Sequence, residues 1–124
     1  MTFEELQEKV LEWADSHDLL HEENADKQFM KFIEEVFEFK TEMDHLLSYR
    51  KYCEETCKRL PKNAAKNMQL EMGDVFVTLI ILCKQIEIDP QRCLELAYEK
   101  IKDRQGKTIN GMFYKAEDLP GKVE

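Results

Sequence analysis

Glycine and proline are scarce here, four and three in 124 residues. Such scarcity excludes collagen-like, linker-dominated and low-complexity chains and leaves room for long, unbroken helices. Long apolar runs are missing too. The longest, Val75 to Cys83, is interrupted by Thr78 and is far too short to span a bilayer, so no membrane association is expected. Positive charge is in deficit, 18 Lys and Arg against 26 Asp and Glu, for a formal net charge of −8. That balance argues against a nucleic-acid partner. It also repels small anions unless a cation or a local basic cluster intervenes. The four cysteines (Cys53, Cys57, Cys83, Cys93) form no CxxC pair, and the N-terminus opens into a charged amphipathic pattern without a secretory leader. The expectation is a cytoplasmic protein with reduced thiols. There is no Gly-rich phosphate loop and no GxSxG. His17 and His21 lack further ligands for zinc. Glu42 and His45 lack the second Glu-x-x-His that di-iron chemistry needs.

What the sequence does contain is helix. Its length fits one domain over residues 1–124, with a helical core of about 3–105 and a C-terminal extension of 106–124. Thr2 and Glu5 form a capping box for a first helix with Phe3, Leu6, Val10 and Trp13 on one face. A second helix runs from about Ala25 to about Cys57, with Asn24 or Asp26 as its cap. Its apolar stripe is Phe29, Phe32, Ile33, Val36, Met43 and Leu47. At 100° per residue, Glu35 falls on the flank of that stripe and Glu38 well away from it. A third helix spans about Asn63 to Ile86. It is apolar on nearly every side from Val75 to Cys83, which predicts burial all round and hence a homo-oligomer, a dimer or tetramer. Asp89-Pro90 starts a fourth helix that stops before Gly106, and Asn110-Gly111 signals a hairpin turn. The expected fold class is all-α: a bundle of four to five helices, with a short C-terminal hairpin or extended tail.

The chemistry concentrates in two acidic patterns, Glu34-Glu35-Val36-Phe37-Glu38 and Glu71-Met72-Gly73-Asp74. Residues three apart share one side of a helix, so two adjacent helices can aim four carboxylates at one point. Like charges gathered in a partly dry place repel unless a cation joins them. All-oxygen ligands suit Mg²⁺, which takes substrate phosphates as further ligands. Asp74 heads the most apolar run of the chain, where an unpaired carboxylate is costly to bury. Gly73, unfavourable in mid-helix, leaves space for close approach of a ligand or a neighbouring helix. The plainer alternative is a solvated acidic face.

With EExxE on one helix and ExxD on the next, the chain resembles the MazG-like, all-α nucleoside triphosphate pyrophosphohydrolases. Glu34, Glu35 and Glu38 supply the first motif, Glu71 and Asp74 the second. The segment Lys102 to Lys107, followed by Asn110-Gly111-Met112-Phe113, is similar to small stand-alone members common in phages and their bacterial hosts. Two departures stand out: Phe37 where the family often has Gly, and a longer gap between the motifs. The resemblance implies Mg²⁺-dependent hydrolysis of an NTP or dNTP to the monophosphate and pyrophosphate, with Mn²⁺ as a substitute metal and nucleotide-pool house-cleaning as the role. It implies Glu35, Glu38, Glu71 and Asp74 as metal ligands, with Glu34 orienting or deprotonating water beside them. Lys100 and Arg104 would reach phosphate from one helix face, or form an ordinary surface pair. Lys31 is a phosphate contact or an i,i+4 partner of Glu35, and Gln28 a weaker candidate. Trp13 would line a base pocket or belong to the core. Asn110 would touch base or sugar, or serve only as the turn residue. Two other readings remain open at this point: a related all-α phosphohydrolase such as a dUTPase-like enzyme, and a non-catalytic helical module that binds a protein partner.

Overall fold

Helix-forming sequence and well-placed stops divide the chain into four helices and a hairpin, described over residues 1–119 in a computed structural model. They are α1 (Phe3–Ser16), α2 (Ala25–Thr56), α3 (Ala64–Gln85), α4 (Pro90–Ile101), β1 (Gly106–Ile109) and β2 (Met112–Lys115), with single 3₁₀ turns at Glu22–Asn24 and Ala116–Asp118. The fold is all-α with a short two-stranded sheet. Residues 1–88 and the residues from 89 onward form two compact units.

Each helix end has a local cause. The Thr2 hydroxyl accepts the Glu5 N–H and the Glu5 carboxylate accepts the Thr2 N–H, both at 3.1 Å, completing the capping box. Asp18 (φ 58°) ends α1 in the left-handed region, which Asp tolerates better than most residues, and the Leu19 N–H closes onto the Ala14 carbonyl at 3.0 Å. Cys57 (φ 56°) and Glu87 (φ 59°) end α2 and α3 in the same way. Asp89 caps α4 by accepting the Gln91 N–H at 3.1 Å, with Pro90 at the first helical position. Asn24 is the N-cap of α2 by position, without a side-chain hydrogen bond.

The first unit is organised by α2 and α3, which pack along much of their lengths; α1 packs more narrowly on α3. The two long helices run antiparallel. Gln28 meets Thr78, the acids of α2 meet Glu71, and Leu46 and Tyr49 line a cleft with Asn63 and Asn67. Seven-residue steps keep one line of a helix facing its neighbour. Gln28, Glu35, Glu42 and Tyr49 form such a line on α2, and Ala64, Glu71, Thr78 and Gln85 on α3. The core is Ala14, Leu46, Ile80, Ile81 and Cys83, together with the buried polar residues Glu35, Thr78 and Gln85.

Two sequence expectations change. α3 is not buried all round in this chain, because α1 and α2 cover only part of it; Phe76 is 44% exposed. On α2, Phe29 and Leu47 of the expected apolar stripe are exposed, whereas Glu35 sits in the seam at 7% exposure rather than on its flank. The averaged apolar direction mixed the side facing α3 with a second apolar side that no described element covers.

In the second unit, β1 and β2 pair antiparallel from Gly106↔Lys115 to Ile109↔Met112. The turn residues Asn110 (φ 52°) and Gly111 (φ 78°) supply the two positive φ angles that a tight hairpin needs. A side chain at Gly106 would meet the Tyr114 carbonyl at 2.0 Å, so only glycine fits there. Among the described residues no helix is long and apolar enough to cross a membrane.

Candidate functional site

At the middle of the α2–α3 seam, one carboxylate oxygen from each of Glu35, Glu71 and Asp74 lies within 4.8 Å of the others. Glu35 is buried, Glu71 half-buried and Asp74 exposed, so the group grades from interior to solvent. Helix geometry produces the gathering. Glu71 and Asp74 lie one turn apart on α3, and Glu35 faces them from α2. Glu38, one turn beyond Glu35, joins by charge. Its carboxyl is held above the usual carboxylate range, first by hydrogen bonding with the Glu35 carboxyl, then by the negative charge of Glu35, desolvation and the charges of Glu71 and Glu34. Glu71 is raised as well, by desolvation first and then by Asp74, Glu35 and Glu42.

Lys31 is the cation paired with this group among the described residues, at 3.2 Å from Glu35 and 3.4 Å from Glu34. It touches only one oxygen of Glu35. With the acids ionised, Glu35 Oε2 and Glu71 Oε2 are enclosed without a hydrogen-bond donor. Buried carboxylates are normally paired or bound to a metal. The donor set is all hard oxygen, partly buried and open on the Asp74 side, and so fits a divalent cation of the Mg²⁺ type.

The other sequence candidates take distinct places. Glu34 is exposed at the rim, held by Lys31. The Gln28 amide donates to the Thr78 carbonyl at 3.2 Å, tying α2 to α3 one turn below the acids of α3. Trp13 is half-exposed on α1, its ring 4.5 Å from that of His17, beside Leu6, Lys9, Val10 and Val77. Lys100 is exposed in the last turn of α4. Arg104 lies outside that helix, which ends at Ile101, and its N–H closes a turn onto the Ile101 carbonyl at 3.0 Å. The shared helix face expected for Lys100 and Arg104 therefore does not exist. Asn110 is the first turn residue of the hairpin. Gly73 has nothing within 4 Å of where a side chain would begin, so no close approach among the described residues accounts for it.

Glu42 was not among the sequence candidates for the site, yet it acts on Glu71 through its charge. Its signal was the seven-residue spacing from Glu35.

Antiparallel helices bringing carboxylates from an EExxE and an ExxD motif into one half-buried cluster define an all-α protein with an acid cluster that could hold a metal ion. The chain belongs to the MazG nucleotide pyrophosphohydrolase domain family, whose model matches residues 27–109. That match spans both acidic motifs, α4 and the first strand. It supports nucleotide pyrophosphohydrolase activity, and so a hydrolase. No curated protein and no solved structure gives a match.

Proposed function

We propose that this protein hydrolyses nucleoside triphosphates, ribo- or deoxyribo-, to the monophosphate and pyrophosphate in a Mg²⁺-dependent reaction that clears unwanted nucleotides. The observation that carries the reading is the pair of enclosed, donor-less oxygens, Glu35 Oε2 and Glu71 Oε2, in a cluster completed by Asp74. Glu35, Glu71 and Asp74 would hold the ion, with Glu38 adjoining. A bound Mg²⁺ would neutralise triphosphate oxygens and make a water more acidic.

The chain's own groups have clear tasks around that ion. Glu34, exposed at the rim and paired with Lys31, would accept a proton from the attacking water. The water oxygen forms a bond to phosphorus of the α–β anhydride, the bridging P–O bond breaks, and pyrophosphate leaves with its electron pair. Lys31 would offer positive charge to the phosphates at the same rim. Lys100 and Arg104 remain candidates for phosphate contacts. The uncovered apolar groups of α1 and α3, among them Phe3, Trp13 and Phe76, support a homo-oligomer.

The test is direct. The protein is incubated with a panel of NTPs and dNTPs with and without Mg²⁺, and monophosphate and pyrophosphate are quantified. Product that depends on Mg²⁺ is expected. If no nucleotide gives product and Mg²⁺ leaves the melting temperature unchanged, the enzyme reading is wrong and a partner-binding helical module takes its place.

A further inference from the structure

The seam continues beyond the acids. About 6 Å of helix further, one turn past Glu38 on α2 and one turn before Glu71 on α3, residues of the two helices line a cleft of about 500 Å³. That size suits a small-molecule site. Glu42, His45, Ser48 and Tyr49 line it from α2, and Asn63 and Asn67 from the start of α3, beside the buried Leu46. No Lys or Arg contributes to the lining, so the cleft is not built for a second phosphate or another anion. The side chains of His45, Ser48, Asn63 and Asn67 make no hydrogen bond with any described residue. With one acid, Glu42, a tyrosine ring and four uncommitted hydrogen-bonding groups, the cleft suits a flat ligand that carries no negative charge and has a polar edge. Glu42 joins the two regions, because it lines the cleft and its charge also reaches Glu71.

We propose that this cleft holds the nucleoside of the substrate, and that Tyr49, Asn63 and Asn67 select its base. The inference rests on the reading of the acids as the triphosphate end. An asparagine amide offers a donor and an acceptor together, the pairing that a base edge presents. Tyr49 supplies an aromatic surface on which any base stacks. Glu42, between base and phosphates, accepts hydrogen bonds from sugar hydroxyls.

The experiment measures kcat and KM for the four NTPs and four dNTPs on the wild type, Asn67→Ala, Tyr49→Ala and Tyr49→Phe, with the melting temperature of each. Asn67 is exposed and Tyr49 half-exposed, so these changes spare the core. In the wild type, kcat/KM should differ among bases by about tenfold or more. Asn67→Ala should shrink that spread to within about threefold. Tyr49→Ala should raise KM about tenfold, with kcat within about twofold, the range set by loss of one base stack; Tyr49→Phe should restore KM. If the variants release pyrophosphate with wild-type KM and wild-type base preference, the cleft is not the nucleoside site while the acid reading stands. A wild type that treats all bases alike overturns base selection by the same residues. A wild type that releases pyrophosphate from none of the eight overturns both readings together.

Discussion

Gln28 and Glu35 stand seven residues apart on one line of α2, and both face α3. Gln28 is satisfied, its amide donating to the Thr78 carbonyl. Glu35 is not, since one of its oxygens is enclosed without a donor. On α3 the contrast is one of charge. Gln85 gives its amide to the Leu19 carbonyl at 2.7 Å, anchoring the segment after α1, though its own Oε1 is also enclosed without a donor; Glu71, two steps back along the same line, has an enclosed oxygen with no donor and no side-chain N–H to offer a neighbour. Amides can find backbone carbonyls inside a helical seam; ionised carboxylates facing one another have no proton to share. The lower end of the seam is therefore tied by neutral hydrogen bonds with no charge to offset. Its middle gathers like charges, which oppose folding unless a cation offsets them.

The most forceful way to break this comparison is at the acids. Asp74→Asn and Glu38→Gln should each lower turnover by at least about a hundredfold, if the acids supply the metal's charge-neutralising oxygens. Both should leave the helical circular dichroism intact, because removing a charge from a repelling cluster does not oppose folding. Pyrophosphate release measured beside the wild type decides it, and undiminished activity in either variant removes that residue from the site.

Metal comes next in size. At a Mg²⁺ concentration one hundred times its dissociation constant, binding to the folded protein alone stabilises it by about 2.7 kcal/mol. For a chain this small, that is a rise of several degrees or more in melting temperature. Glu71→Gln should abolish most of the rise. pH sharpens the same point. The folded-state carboxyls of Glu38 and Glu71 titrate above the ordinary value of 4.5. Their contribution is thus fully present below about pH 4.5 and is lost as pH rises through the raised values. Metal-free protein should therefore melt progressively lower across that rise, by more than the double variant Glu38→Gln, Glu71→Gln does. Saturating Mg²⁺ should cancel the difference. Identical pH profiles for the two proteins would show that the acids do not repel.

How far this was legible in the sequence differs by element. The caps of α1 and α4, the end of α2 near Cys57 and the Asn110-Gly111 turn were all readable, because each is set by residues within one turn of chain. The convergence of Glu35, Glu71 and Asp74 was also foreseeable, since three-residue spacing fixes the face and two adjacent helices supply the rest. The seam itself was misjudged. Counting apolar residues pointed α2 along Phe29 and Leu47, which are exposed, because the polar members of the true seam add nothing to a hydrophobic direction. The seven-residue step through Gln28, Glu35 and Glu42 carried that information instead. Arg104 escaped for a related reason. An i,i+4 spacing implies a shared face only while the helix lasts, and α4 ends at Ile101.

The smallest expected effect sharpens the opening contrast most finely. Gln28→Ala removes one hydrogen bond between α2 and α3 and leaves the Thr78 carbonyl to its helical partner or water, a loss of about 1 kcal/mol. Glu35→Gln, seven residues on, replaces a carboxylate surrounded by acids with a neutral amide of the same shape that can donate to Glu38 or Glu71. Without metal it should unfold no earlier than the wild type, and with metal it should lose much of the wild type's gain. Two substitutions on one line of one helix should thus part company in metal-free urea titrations, a loss for Gln28→Ala and none for Glu35→Gln. Equal losses for both would mean that Glu35 is held by the fold as Gln28 is, and that the middle of the seam requires no cation to explain it.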